Sequence, residues 1–401
     1  MKNNINIAVV GLGQVGSYLL NELNTKKKDI ELKTGKKINV VAVSARNINK
    51  KRKFKVNKKI FYKDPLEIFK KNKIDILFEA IGLSDGISKM IVETALKNKI
   101  HVITPNKALI SKHGNELAKL AEKNKVNLEF EASVAGGIPI LRSIKEGLAT
   151  NKISKVYGIL NGTSNYILSE MENSNENFVD VLKKAQMLGY AEPGNPKLDL
   201  NGFDAFAKIR ILSALAFNSK ISKHKCLMEG IEKIELKDIK IANQLDLRIK
   251  LLGISNLTAD GIYEEVQPCL VPESSAISKL EGGTNMVIID SDFIGRTYLS
   301  GPGAGEGPTA SAIVSDILDV ANGKILPVFG TAAKNLEKCK RAKKGIDRCY
   351  YLRLSLVDRP GALAKIATVL GNNKISIDRM RQKTSSSRAS WYRPQSHPAF
   401  G

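Results

Sequence analysis

Cysteine and histidine are scarce in this chain, with 4 of each in 401 residues. Cys226, Cys269, Cys339 and Cys349 lie too far apart for a CxxC metal or redox pair. Four thiols in so long a chain do not make a disulfide framework either, so a reducing compartment is expected. His101, His113, His224 and His397 stand beside no serine or cysteine nucleophile motif. Tryptophan occurs once, at position 391, and no run approaches the ~18 apolar residues of a membrane span. An apolar strand begins within the first few residues, which leaves no room for a charged leader and a separate hydrophobic region, so a cytoplasmic protein is expected. Acidic residues are also in deficit, 40 against 63 Lys and Arg, for a net charge of +23. Such a balance raises nucleic acid or an anionic membrane as a partner. The lysines, however, are spread along the whole chain, denser only at 26–28 and 50–59, without interleaved aromatic platforms. The expectation is a solvated basic surface, with no nucleic-acid or membrane partner.

What is present is ample apolar material, 43% over a length that exceeds one hydrophobic core, so two or three domains are expected. Residues 5–10 form an apolar run that ends in Gly11-Leu12-Gly13-Gln14-Val15-Gly16, and a helical pattern follows through Leu20. Further apolar runs at 38–43, 74–78 and 100–104 are separated by helical stretches such as 86–97. Alternation of this kind predicts an α/β fold with a Rossmann-like, doubly wound parallel sheet. In the glycine fingerprint, Gly11 permits a tight turn, Gly13 lets backbone approach a pyrophosphate, and Gly16 allows helix to pack on strand. Gln14 and Val15 then open the helix whose N-terminus receives the phosphates. The second strand ends in Val43-Ser44-Ala45-Arg46-Asn47, without the acidic residue that recognises a ribose 2′-hydroxyl. This favours NADP(H), with Arg46 as the main contact to a 2′-phosphate and NAD(H) as the alternative.

From about residue 150 the pattern changes to strand-like runs at 155–160 and 286–290 flanking long helices, including 203–216, which reads as a second, α+β substrate domain. Asp204 and Lys208 are four apart on the predicted helix and so share a face, and Glu192 enters from the preceding loop. Taken alone, this spacing also describes an ordinary surface ion pair. The flanking Ala205, Phe206, Ala207 and most of residues 209–212 are apolar, however, which makes the helix largely buried and gives its charges a purpose.

The segment Tyr190-Ala191-Glu192 through Asp199-Leu200-Asn201-Gly202-Phe203-Asp204 to Lys208, with Ala132-Ser133-Val134-Ala135-Gly136-Gly137-Ile138-Pro139 and Asn161-Gly162-Thr163-Ser164-Asn165-Tyr166, resembles the homoserine dehydrogenase family. The resemblance runs from about residue 5 to residue 380. It implies NAD(P)-linked interconversion of aspartate 4-semialdehyde and homoserine in a homodimer or homotetramer, as part of threonine and methionine biosynthesis. It places Lys208 as proton donor to the aldehyde oxygen, with Glu192, Asp199 and Asp204 around the substrate's amino group. Lys107, in Thr104-Pro105-Asn106-Lys107-Ala108-Leu109, would lie near nicotinamide and substrate. A lone lysine with pKa ~10.4 is a sluggish acid at neutral pH, so burial and a second cation such as Lys107 should lower it. The resemblance also implies cofactor contacts at Gly189 and at Gly303, in Gly301-Pro302-Gly303-Ala304-Gly305, and a sodium ion on the carbonyls of Glu131, Val134, Gly136 and Ile138. One departure stands out: Glu192-Pro193-Gly194-Asn195-Pro196 carries one residue more than the family's loop and lacks its Asp-Pro pair.

The expected organisation is a dinucleotide-binding domain over 1–150, completed by 301–330, and a substrate-binding and dimerisation domain over 151–300. A lysine-rich linker would follow at 331–349. Residues 350–357, 362–370 and 375–377 read as strand, helix and strand, and Leu356-Val357-Asp358-Arg359-Pro360-Gly361-Ala362-Leu363 resembles the opening of an ACT domain. Only a first half, 350–383, is expected, so feedback by threonine should be weak or absent. At 384–401 the composition shifts to Ser, Arg, Pro and His, read as a stretch foreign to the domain or as a disordered terminus. Two competing functions are another small amino-acid dehydrogenase on the same scaffold and a non-catalytic amino-acid sensor. Lys107, Glu192, Asp204 and Lys208 occurring together argue against the sensor.

Overall fold

The computed structural model describes residues 3–194, 196–342, 348–357 and 359–380. The chain forms two compact units, residues 1–347 and 348–401.

In the first unit, strands β1 (Asn4–Val10), β2 (Lys37–Ser44), β3 (Phe61–Tyr62), β4 (Ile76–Glu79), β5 (His101–Ile103) and β6 (Leu128–Glu129) make a parallel sheet in the order 3-2-1-4-5-6. Its central strands are apolar on both faces, as a sheet covered by helices on both sides requires. Helix α1 (Gln14–Thr25) follows β1, α2 (Ile87–Lys97) follows β4, and α3 (Lys107–Asn124) follows β5. Val10 pairs with Ser44 on one side and with Glu79 on the other. The loops after β1, β2 and β4 therefore leave the sheet at one level, where the strand order reverses.

The second sheet contains β7 (Ile153–Ile159), β8 (Leu227–Met228), β9 (Leu247–Thr258), β10 (Gly261–Pro272), β11 (Thr284–Ser291) and β12 (Arg296–Pro302), in the order 12-11-7-9-10-8. It is antiparallel except where β8 meets β10. Helices α4 (Gly162–Ser174), α5 (Phe178–Met187) and α6 (Phe203–Ala216) accompany it. A later helix, α7 (Glu306–Ala321), packs Ile313, Ile317 and Val320 into the same core as Leu19 and Leu23 of α1. Residues far apart in sequence thereby cover one face of the parallel sheet.

Two expectations need correction. Residues 331–342 lack helix and strand but are not a free linker. Ala333, Leu336, Cys339 and Ala342 are buried. Backbone bonds Lys220 N–Glu337 O (2.9 Å) and Ile262 N–Lys340 O (2.8 Å) strap the segment to the body. Apolar residues at every third position face inward and leave the lysines between them in water. In the second unit, helix α8 (Ala362–Asn372) is present, but residues 350–357 and 375–377 are not strands. Tyr350, Leu352, Leu354, Leu356, Ile375 and Ile377 are all exposed. A strand exists only through a hydrogen-bonded neighbour, and none is formed among the described residues. The expected foreign stretch at 384–401 lies outside the described residues.

Candidate active site

The three glycines behave differently. Gly11 has φ +97°, and a Cβ there would lie 2.3 Å from the Ala80 carbonyl oxygen. A Cβ on Gly16 would lie 2.0 Å from the Gly11 oxygen. Around Gly13, the residue that caps α1 without any side-chain bond, nothing lies within 4 Å of a Cβ position. The first and third glycines are fixed by packing, whereas the second leaves open space at a helix N-terminus that carries Gln14 and Val15. Gly11 N donates to Ser44 O (3.0 Å), which ties this turn to the end of β2. Beyond it, Arg52 spends its guanidinium on the carbonyls of Leu12, Asn47, Ile48 and Lys50. Arg46 is exposed and makes no hydrogen bond or ion pair among the described residues.

The charged centre lies where β7, α3, α4 and α6 converge. Helix α6 is apolar on nearly all sides and therefore buried, which carries Asp204 and Lys208 inside with it. Lys208 Nζ donates to Asp204 Oδ2 (2.7 Å) and to the Leu160 carbonyl (2.7 Å). Lys107 Nζ reaches Asp204 Oδ1 at 3.0 Å. The Asn161 amide donates to Asp199 Oδ1 (2.8 Å) and to Asp204 Oδ2 (2.9 Å). One buried carboxylate thus holds two ammonium groups. Burial lowers the pKa of Lys208, Asp204 opposes that shift, and Lys107 adds to it. Lys107 is pushed the other way, raised chiefly by Asp204. Both lysines hold Asp204 below the usual carboxylate range despite its burial. Burial and the neighbouring Asp204 raise Asp199.

Lys107 is the first residue of α3, and its position is fixed by Glu79 at the end of β4. Glu79 accepts from Ile81 N (2.8 Å) and from Thr104 Oγ1 (2.7 Å). Asn106 caps α3 by accepting from Leu109 N (3.1 Å) and donates to Leu83 O (2.8 Å). Glu192 is exposed on the loop after α5 and makes no ion pair with Lys107 or Lys208, although its charge contributes to raising Lys107. Gly189 lies just past α5 at φ +79° with open space around it.

Residues 131–138 sit against the Gly303 loop. Gly137 N donates to Pro302 O (3.0 Å), and a Cβ on Gly136 would lie 2.7 Å from the Gly303 oxygen. Ala135 and Gly136 both have positive φ. Among the described residues, the Val134 and Gly136 carbonyls accept no hydrogen bond, that of Glu131 accepts a long one from Val134 N (3.4 Å), and that of Ile138 accepts from Ile140 N (2.7 Å). The Glu131 carboxylate is turned away, accepting from Leu141 N (2.9 Å) and Arg142 N (2.8 Å).

A family model described as "Homoserine dehydrogenase" matches residues 139–318, and one described as "Homoserine dehydrogenase, NAD binding domain" matches residues 11–131. A homoserine dehydrogenase of Neisseria gonorrhoeae is 40% identical over 386 residues, covering 94% of this chain and 88% of the relative. The chain belongs to the homoserine dehydrogenase family. It is accordingly an NAD(P)-dependent oxidoreductase acting on a CH–OH group, with a role in amino-acid biosynthesis. The homoserine dehydrogenase of Pseudomonas aeruginosa is 37% identical over 393 residues, covering 94% of this chain and 88% of its own. The crystal structure of a homoserine dehydrogenase from Thiobacillus denitrificans superposes with a TM-score of 0.84 at 36% identity, covering 95% of this chain and 89% of that one. An ACT domain model matches residues 350–394, running past the end expected at 383. No helix among the described residues is long and apolar enough to cross a membrane.

Sequence reasoning had assigned no role to Glu79, Asn161 or the Leu160 carbonyl. Of these only Asn161 left a local signal, a helix-capping asparagine directly after a strand.

Proposed function

We propose that the protein works as an NADP(H)-preferring homoserine dehydrogenase, interconverting L-aspartate 4-semialdehyde and L-homoserine with Lys208 as the proton donor. The observation that carries this reading is the bonding of Lys208. An ammonium has three N–H donors, and two of them are spent on Asp204 and Leu160 O. The third is left for a substrate oxygen. The nicotinamide supplies hydride to the aldehyde carbon when bound. Lys208 then stabilises the charge developing on oxygen and gives up its proton, which its burial and the adjacent Lys107 make easier to release.

Asp199 and Glu192 receive the substrate ammonium, and Asp204 sets the two lysines while closing the same side of the site. The open space at Gly13 and the uncapped start of α1 fit a pyrophosphate. Arg46, free where Arg52 is engaged, suits a 2′-phosphate. The carbonyls of Val134 and Gly136, with those of Glu131 and Ile138, fit a monovalent cation such as sodium, which would brace the Gly303 loop. A cytoplasmic homodimer or homotetramer completes the reading.

The test is NADPH consumption with L-aspartate 4-semialdehyde by the purified chain and by Lys208→Ala. Turnover lost in the variant with NADPH binding kept supports the reading. No turnover by a folded, NADPH-binding parent chain would overturn it and favour an amino-acid sensor.

A further inference from the structure

Asn161 follows β7, is 4% exposed and caps α4, its Oδ1 accepting from Ser164 N (2.7 Å). Its amide nitrogen bridges Asp199 Oδ1 and Asp204 Oδ2, so all three of these bonds run through one side chain. The cap alone does not call for an asparagine, because Asp and Ser cap helices equally well. Only a carboxamide accepts on one side and donates twice on the other. The adjoining residues tie the same segments: Ser164 Oγ donates to Asp199 O (2.9 Å) and Thr163 Oγ1 to Tyr190 O (2.6 Å).

We propose that Asn161 is a positioning residue that holds Asp199 and Asp204 together as ionised acceptors, leaving Asp199 for the substrate ammonium while Asp204 keeps both lysines. This rests on the functional reading above. Asp199 faces Asp204 and Lys208 from α6, Lys107 from α3 and Asn161 from the start of α4. Burial and Asp204 push it toward protonation, and the Asn161 bond and the two lysines oppose them. Without the shared amide the like charges are left to repel, and Asp199 takes up a proton instead of a substrate ammonium.

The experiment compares wild type, Asn161→Asp and Asn161→Ala in L-aspartate 4-semialdehyde reduction from pH 5 to 9, the direction in which Lys208 must be protonated and so governs the basic limb, not the acid one. The aspartate variant keeps the helix cap and replaces the donor with a third carboxylate. The expected result is an acid limb of kcat/KM moved up by about one pH unit in Asn161→Ala, from loss of one charge-assisted hydrogen bond, and by more in Asn161→Asp, whose added carboxylate repels the other two. The KM for L-aspartate 4-semialdehyde should rise about tenfold and the KM for NADPH should stay unchanged. A lowered Tm with the acid limb in place would make Asn161 a helix cap only and overturn the proposal. Equal rises in both KM values would overturn it too, as a general loosening of the site. A wild type without semialdehyde turnover would remove the functional reading and this inference with it.

Discussion

Replacing Asp204 by asparagine keeps the shape of the site and removes the one charge that lies between two ammonium groups. Asp204 sits 3.0 Å from Lys107 and 2.7 Å from Lys208. At an effective dielectric of about 20, each pair represents roughly 6 kcal/mol of gross attraction. The folded variant does not bear the full loss, because Lys208 is walled in and sheds its proton. Deprotonating a lysine of ordinary pKa ~10.4 at pH 8 costs about 3 kcal/mol, which caps the part that Lys208 carries, while Lys107, 39% exposed, stays solvated and adds little. The figure lies at the low end of what breaking a buried pair costs. The sign follows from linkage. A lysine whose folded pKa lies below its unfolded value destabilises most at low pH, and the loss fades as pH rises toward the unfolded pKa. Urea melts of Asp204→Asn should therefore show about 3 kcal/mol less stability than wild type at pH 8 and little difference near pH 10. NADPH-linked reduction at pH 8 should fall at least about 100-fold, because Lys208, the proposed proton donor, has become neutral. A stability loss of the same size at pH 8 and pH 10, or a kcat profile like that of wild type, would refute the reasoning.

The glycine fingerprint yields a contrast: Gly13→Ala should melt like wild type yet raise the KM for NADPH about tenfold or more, whereas Gly16→Ala should lower the Tm through its collision with the Gly11 carbonyl. A thermal melt and a cofactor titration separate the two effects. Arg46→Ala should raise the KM for NADPH by an order of magnitude while sparing NADH, since losing one charged hydrogen bond costs about 1.5–3 kcal/mol; equal effects on both cofactors would remove Arg46 from the site. Lys250 is fully buried against neutral acceptors, Asn165 Oδ1 (3.3 Å), Ser169 Oγ (3.4 Å) and Leu280 O (2.5 Å), and its pKa is pushed down to about 8. Its folded pKa lies below the unfolded one, so it costs stability fully below pH 8 and progressively less up to about 10.5. Lys250→Met should therefore gain about 1–2 kcal/mol near pH 7 after its lost hydrogen bonds are counted, and no gain above pH 10; a destabilised variant at pH 7 in urea melts would count against this.

Much of the fold and part of the site could be read in the sequence, and the division follows sequence distance. Gly11, Gly13 and Gly16 lie within six residues, and Asp204 and Lys208 within one helical turn, so local geometry alone relates them. Asn161 reaches partners 38 and 43 residues away, and Lys208 finds its carbonyl 48 residues back. Nothing local marks such bonds; they follow from how β7 delivers its end to α6. The misread segments fail for a related reason. Alternating Tyr350, Leu352, Leu354 and Leu356 satisfy the period of a strand, but a strand is a property of a pair. At 333–342 the every-third burial of small and apolar residues fits neither the helical nor the strand period, so the eye settles on the lysines.

Helix α3 carries Lys107 as its first residue and Glu122 in its last turn. The Glu122 carboxylate accepts from Val328 N (3.3 Å) and Ala333 N (2.8 Å), two amides of the chain that runs on toward residue 342. Eighteen residues of α-helix span about 27 Å and are stiff along their axis. The helix therefore acts as a push-rod with Lys107 at one end and the Glu122 handle at the other. A slip along that axis at the handle would move Lys107 with it and change its 3.0 Å contact with Asp204.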